Sequence, residues 1–140
     1  MVGQDLIRAA SVRAQISQIE KYQTAVNTFR GKYGYLPGDI NSTTAAQFGL
    51  VARGNFAGEG DGNSIIEGIN ADATGKNLGN EFFTGEAGMF WVDLTSANGL
   101  NDNLIEGSFK TATATGLLPT QVTDSGVDQF LPQAKSSWVK

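Results

Sequence analysis

The stretch GEGDGNSIIE at positions 58–67 holds the residue types best suited to chemistry in this sequence. Three oxygen-bearing side chains occupy alternate positions and are separated by glycines, a pattern that lets a loop curl around a hard cation. The carbonyl of Ile65 adds a further oxygen, and a glutamate follows where it can close the ring. We therefore predict a calcium site with the ligands Glu59, Asp61, Asn63 and Glu67.

The spacing of this stretch differs from that of an EF-hand loop. An EF-hand requires glycine at its sixth position and glutamate at its twelfth. Counted from Glu59, these positions are Ser64 and Asn70. The stretch is therefore at most a partial cation loop, and a solvated acidic turn rich in glycine remains the alternative.

Several catalytic classes are excluded by composition. The sequence contains no cysteine and no histidine, which removes disulfides, thiol nucleophiles, imidazole bases and the Ser-His-Asp arrangement. It contains neither a P-loop nor a dinucleotide-binding glycine motif. Nothing in the sequence places two of the 14 acidic residues together in an apolar cleft. We therefore predict that the protein is not an enzyme.

Charge is distributed unevenly along the chain. Residues 1–33 carry five basic and two acidic side chains, whereas residues 34–140 carry five basic and twelve acidic ones. A basic N-terminal part and an acidic remainder favour head-to-stem alignment between copies, although solvated helix and loop faces explain the same pattern. The basic residues are few and are not interleaved with aromatics, so we expect no nucleic-acid partner.

A long amphipathic helix is the main element that the sequence predicts. Apolar residues recur every three or four positions, which indicates a helix over residues 4–32 with one apolar stripe. The helix ends before Leu36-Pro37-Gly38-Asp39, a type II turn signal in which glycine supplies the positive φ and Asp39 accepts local backbone donors. The stripe comprises Leu6, Ala9, Ala10, Val12, Ile16, Ile19, Tyr22, Val26, Phe29 and Tyr33.

The remaining elements are shorter. Asn41-Ser42-Thr43 is typical of a helix start, and the glycine-rich residues 52–80 predict a long loop that isoleucines hold to the core. Aromatic residues then predict a second helix over 81–97, folded back on the first. The segments 109–115 and 121–127 predict short β-strands. The isoleucines of the loop are Ile65, Ile66 and Ile69.

Together these elements predict an α+β fold. A spine helix over residues 1–35 packs on a second helix and on a small, irregular, loop-rich β region. The head over residues 36–140 forms a single domain with the helix, in keeping with the 140-residue length.

The sequences of three segments resemble those of type IV pilin-like proteins. VGQDLIRAA, QISQIEKYQTAVNTFR and KYGYLPGDI resemble the region after the membrane anchor in pilins and type II secretion pseudopilins, which carry a prepilin-type cleavage and methylation segment. EAGMFWVDLTSANGLNDNLIEG and LPQAK resemble later parts of the family more weakly. The family carries ~20 apolar residues ahead of this region. The resemblance thus implies that Met1 stands where a membrane anchor has been removed.

The resemblance implies a structural role. The subunit would be anchored in the inner membrane with a periplasmic head, and the assembly machinery there would move it into an extracellular pilus or a periplasmic pseudopilus. Its partners would be copies of itself and other pilins, and its only membrane contact would be the missing segment. Predicted filament contacts are Leu6, Ile7, Arg8, Ala10, Arg13, Ile16 and Ile19.

Three alternatives remain open at this point. The chain could be a minor pilin or an adhesin-like binding module that uses the loop 52–80, or a stand-alone domain. The whole helix could also pack within its own domain. Major pseudopilins have a calcium site in their C-terminal loop region, but it lies elsewhere in sequence order, so none of its residues carries over by motif.

Overall fold

The computed structural model describes six segments of the chain. Their longest element is helix α1, Val2–Tyr33, whose 32 residues extend over about 48 Å. Asp5 in its first turn and Arg30 and Lys32 in its last turn complement the helix dipole. The predicted long helix is therefore confirmed. The described segments are residues 2–53, 60–67, 85–95, 98–100, 103–110 and 124–135.

The LPGD sequence forms the predicted turn. Helix α1 ends when the N–H of Gly34, at φ +77°, donates to the carbonyl of Arg30 at 2.8 Å. The N–H of Asp39 then donates to the carbonyl of Leu36 at 3.1 Å, and Gly38 has φ +87°. Proline followed by glycine at positive φ, closed by this hydrogen bond, is the type II turn expected from the sequence.

Helix α2, Ser42–Phe48, is defined by its caps. The Asn41 side chain accepts the N–H of Thr44 at 2.8 Å, as predicted for an N-cap. At the other end, Gly49 adopts a left-handed conformation with φ +76° and returns its N–H to α2 carbonyls. The buried Ala45 attaches α2 to the core.

Helix α3, Gly85–Leu94, lies within the span of the predicted second helix and packs against α1. Residues 81–84 and 96–97 of that prediction lie outside the described residues. The ring of Trp91 meets the ring of Tyr22 edge to face, with centroids 5.3 Å apart. The two helices therefore contact each other through aromatic side chains, as the sequence predicted.

The core lies beside the C-terminal third of α1 only. Ala25, Phe29 and Tyr33 are the buried residues of α1, spaced four apart on one face. Burying a side chain such as Phe29 contributes roughly 2–3 kcal/mol. The other buried members of this cluster are Ile40, Ala45, Leu50, Leu94, Ile105 and Phe109.

The predicted α+β class is wrong. The described residues form helices and contain no strand. Residues 124–127, predicted as the end of a strand, belong to a 3-10 helix, Asp124–Gln129. It continues into a turn in which Phe130 donates to the Val127 carbonyl at 2.9 Å. The Gly126 of this segment favours such a local turn over pairing with a distant strand.

The predicted strand 109–115 is not observed at the two of its residues that the structure describes. Phe109 and Lys110 are irregular, and the N–H of Lys110 makes one bond to the Gln129 carbonyl at 2.9 Å. Phe109 is instead buried in the core. The rest of the two predicted strands, residues 111–115 and 121–123, lies outside the described residues.

Candidate functional site

Two buried carboxylates organise the loop of residues 60–67. Asp39 follows the LPGD turn, Glu86 is the second residue of α3, and both are almost completely shielded from solvent. The Oδ1 and Oδ2 atoms of Asp39 accept the N–H groups of Gly62 and Ser64, each at 2.9 Å. Asp39 is therefore a backbone acceptor, as predicted, but its donors are distant in sequence rather than local.

Glu86 binds the same loop from the other side. Its Oε1 atom accepts the N–H groups of Gly60 at 2.9 Å and Asp61 at 3.3 Å, and its Oε2 atom accepts that of Glu67 at 3.0 Å. Five backbone N–H groups of the loop thus point at two carboxylates. Buried carboxylates require such partners, so this arrangement satisfies both side chains and fixes the loop.

The described side chains among the predicted calcium ligands make hydrogen bonds within the loop instead of pointing together at a cation position. The exposed side chain of Asp61 accepts the backbone N–H and the side-chain amide of Asn63, both at 3.0 Å. The side-chain oxygen of Asn63 accepts the N–H of Ile65 at 2.7 Å. Glu67 gives its backbone N–H to Glu86, and Glu59 lies outside the described residues. These contacts close local turns, and the loop N–H groups face inward.

One predicted ligand does belong to a carboxylate cluster. Asp39, Asp61 and Glu86 each offer a carboxylate oxygen, and the three oxygens lie within 4.8 Å of one another. These residues could hold a hard cation. The sequence singled out only Asp61 of this set. Calcium binding stays a prediction, and equal melting temperatures in millimolar calcium and in chelator would count against a folding-linked site.

The prediction that isoleucines hold the loop to the core is wrong for Ile65. Ile65 is 57% exposed and Ile66 is half-buried, so Ile65 does not hold the loop to the core. Hydrogen bonds to Asp39 and Glu86 do so instead. Ile69 and most other residues of the predicted loop 52–80 lie outside the described residues.

Glu86 has a perturbed pKa. Burial raises it from 4.5 to about 7, and the charge of Asp39 adds to the increase. The N–H groups of Glu67, Asp61 and Gly60 stabilise the carboxylate and limit the shift. The folded protein therefore holds the Glu86 proton more tightly than the unfolded chain does.

This pKa predicts that stability falls as the pH rises. The contribution of Glu86 is complete below pH 4.5 and is lost as the pH passes 7. We expect the free energy of unfolding that depends on Glu86 to be about 2 kcal/mol lower at pH 8 than at pH 5.5. Urea denaturation at both values measures it. Glu86→Gln should lose this difference, and an equal pH dependence in that variant would contradict the assignment to Glu86.

A buried ion pair lies next to these carboxylates. The guanidinium Nη1 of Arg53 lies 2.5 Å from Oδ1 of Asp93, and both side chains are almost fully buried. Oδ2 of Asp93 accepts the N–H of Gly38 at 2.7 Å. Burial raises the pKa of Asp93, and Arg53 opposes this effect. The pair therefore connects α3 to the LPGD turn and to residue 53.

The predicted filament contacts are all exposed on α1. Every residue from position 2 to position 8 is exposed. Arg8, Ala10 and Arg13 are exposed as well. The described head reaches down to Gln15, whose Oε1 atom accepts the N–H of Lys135 at 3.0 Å. The exposed residues 2–8 lie below this contact, so the helix does not pack along its whole length within the described domain. The large apolar side chains concerned are Leu6 65%, Ile7 64%, Val12 43%, Ile16 49% and Ile19 48% exposed.

The apolar residues of α1 form more than one stripe. At about 100° of rotation per residue, Val12, Ile16 and Ile19 lie about 100° around the helix from the buried face that carries Phe29. The single stripe predicted from the sequence is therefore wrong in detail. Val12, Ile16 and Ile19 therefore do not continue the buried face, whereas Ile7 lies about five turns below Ala25 on that face.

Among the described residues, no helix combines the length and the apolar composition needed to cross a membrane. A scan against protein-family models and searches of curated proteins and of solved structures found no match to this chain.

Proposed function

We propose that this protein is a structural subunit of a bacterial type IV pilus or pilus-like filament. The observation that supports this most is the uncovered lower part of α1, where Leu6 and Ile7 are about two-thirds exposed. Exposed apolar side chains concentrated on one element are typical of an interaction surface. A filament in which stems pack together buries them.

The charge pattern supports the same role. Arg8 and Arg13 lie on the exposed part of α1 and form no ion pair with any described residue. The chain beyond residue 33 carries an excess of acidic side chains. A basic stem and an acidic head attract each other between copies, and this attraction orients association more than it adds affinity.

The family resemblance supplies the remaining parts of the proposal. Before assembly, an apolar extension of α1 anchors the subunit in the inner membrane, with its head in the periplasm. Assembly machinery there processes it and moves it into the fibre among copies of itself and other pilins. No enzymatic activity and no nucleic-acid partner belong to this role.

The adhesin-like alternative receives less support from the described loop. Five hydrogen bonds tie residues 60–67 to Asp39 and Glu86, which suits a structural loop better than an adaptable contact surface. We therefore keep the filament role as the proposal, and location at fibre tips is an outcome of its test.

Electron microscopy of sheared cells tests the proposal. The chain, carrying an apolar N-terminal extension, is expressed with matching assembly machinery. We expect it along whole fibres, and we expect Ile16→Asp to abolish incorporation without lowering the melting temperature, because Ile16 is 49% exposed. Thr28→Asp, on the exposed side of the upper helix, should still assemble. Protein at tips only indicates a minor pilin, and absence from every fibre contradicts the proposal.

A further inference from the structure

One face of α1 carries exposed apolar residues along its centre. At about 100° of rotation per residue, Val12, Ile16 and Ile19 lie on this face, which we call the isoleucine face. The buried residues Ala25 and Phe29 lie more than about 100° around the helix from it, so the described core is to one side. The isoleucine face is therefore open to a partner.

The upper half of the isoleucine face borders a shallow recess. Helix α3 forms one side of this recess with Phe90 and Trp91. The described lining contains no charged side chain, and its members on α1 are Ile19, Tyr22, Gln23, Val26 and Asn27. The recess therefore suits an apolar side chain that arrives along α1.

Four charged residues accompany the isoleucine face. Asp5 lies on it near the beginning of α1, and Arg30 lies on it near the end. Arg13 and Glu20 lie on one flank of the face, about 20° apart around the helix. All four are exposed, and none forms an ion pair with a described residue. Their charges are therefore available to a partner molecule.

The order of these charges suits a second copy that runs in the opposite direction. Asp5 and Arg30 are centred between positions 17 and 18, and so are Ile16 and Ile19. Arg13 and Glu20 are centred between positions 16 and 17. The three centres agree within one residue, which is about 1.5 Å along the helix axis. A two-fold axis at this point satisfies all three pairs at once.

An antiparallel pair about this axis brings opposite charges together. Asp5 of each copy lies opposite Arg30 of the other. Equivalent flanks of the two helices also face each other, so Arg13 of each copy meets Glu20 of the other. A parallel pair in register would instead set each of these residues against the same residue of the second copy, and such contacts between like charges are unfavourable. The charges therefore select the antiparallel direction.

The apolar residues match in the same register. Ile16 of each copy faces Ile19 of the other at the centre of the contact. Val12 faces Gln23, where its side chain can enter the recess beside Phe90. Burial of these apolar side chains stabilises the pair, whereas the charges determine its direction and register.

We propose that the isoleucine face joins two copies of the chain in an antiparallel, two-fold dimer. Because the same surface is used by both copies, the contact closes and does not extend into an array. This inference goes beyond the proposed filament role. Stems that point in opposite directions can neither extend into one membrane nor run in one direction along a fibre. The dimer is therefore formed by copies that are free of both, and it covers their exposed apolar face.

Disulfide trapping on the purified chain tests the direction of the pair, because the sequence has no cysteine of its own. Val12→Cys is mixed with a tagged Gln23→Cys copy, since these positions lie opposite each other in the dimer. Two Val12→Cys copies would be about 16 Å apart along the axis. A disulfide requires Cα atoms within about 7 Å, so we expect the mixed disulfide to exceed either like pair at least about fivefold.

The matched control for this trapping is Thr24→Cys. Thr24 is exposed at nearly the same height as Gln23, but it lies about 100° around α1 from it. We expect little mixed disulfide between Thr24→Cys and Val12→Cys. Equal trapping of Thr24→Cys and Gln23→Cys overturns the proposal, and so does a predominant Val12→Cys like pair, which would indicate parallel stems.

Sedimentation equilibrium with charge-reversed variants tests the register. Arg13→Glu places like charges together twice in each dimer, so it should raise the dissociation constant of the dimer about tenfold. Adding Glu20→Arg to the same chain exchanges the two charges and should restore the constant to within about threefold of its original value. Both residues are exposed, so equal melting temperatures show that folding is unaffected. An Arg13→Glu variant that dimerises as well as the original chain overturns the proposal.

The original chain must itself dimerise in these measurements. A chain that stays monomeric at millimolar concentration overturns the proposal. Because neither a membrane nor a fibre is needed, this result is separate from the filament test. Fibres formed by a chain that is monomeric when purified would contradict the dimer alone.

Discussion

Replacing Gly38 with alanine is expected to lower the free energy of unfolding by about 3 kcal/mol or more. Gly38 has φ +87°, which a residue with a Cβ rarely adopts. A Cβ at this position would also collide with the carbonyl oxygen of Glu86 and lie 2.9 Å from the nitrogen of Phe90. These are backbone atoms of α3, so relief requires α3 to move away from the turn. Urea denaturation measures the loss.

Gly34→Ala is the matched control for this prediction. Gly34 has a similar φ of +77°, but a Cβ there has no neighbour within 4 Å. We expect this variant to lose only about 1 kcal/mol, the cost of the backbone conformation alone. Equal losses in the two variants would show that backbone conformation, and not the approach of the turn to α3, sets the requirement for glycine.

Replacing Asp93 with alanine is expected to cost about 3–5 kcal/mol, because it leaves the buried Arg53 charge without its partner. The Nε and Nη2 atoms of Arg53 have no hydrogen-bond partner among the described residues, so Asp93 supplies its only ion pair there. The same change removes the acceptor of the Gly38 N–H. Chemical denaturation followed by circular dichroism measures the loss.

Two further variants separate the parts of this effect. Combining Arg53→Met with Asp93→Ala should recover part of the stability, since no unpaired buried charge remains. Glu106→Ala breaks the exposed pair with Lys21 and should change stability by no more than about 0.5 kcal/mol. If the double variant were as unstable as Asp93→Ala alone, the isolated Arg53 charge would not be the cause.

Exposure on α1 and the anchoring of the loop differ in how far the sequence could predict them. All seven residues that the sequence proposed as filament contacts are exposed, because a long helix ahead of a small head leaves apolar positions at the surface. Most of the carboxylate cluster was missed. Glu86 lies in GEAGMFW, an apolar helix start in which one acid resembles an ordinary first-turn residue. Nothing local indicates that it binds a loop about 20 residues away.

The sequence by itself determined the elements that depend on only a few neighbouring residues. These are the long α1 helix, the type II turn at Pro37-Gly38 and the Asn41 cap of α2. Backbone preference and short-range hydrogen bonds decide such features, so tertiary contacts are not needed to specify them. The 3-10 helix at Asp124–Gln129 shows the limit, since a short segment containing Gly126 suited a local turn as well as a strand.

Only the tertiary structure decided which polar groups are buried and which apolar groups are exposed. The donors of Asp39 and Glu86 lie 19 to 26 residues away in sequence, and Asp93 binds the N–H of Gly38 across 55 residues. Burying a carboxylate is favourable only when such partners converge on it, and that convergence depends on how the helices pack. In the same way, packing decided which face of α1 is buried, and it left Val12, Ile16 and Ile19 exposed.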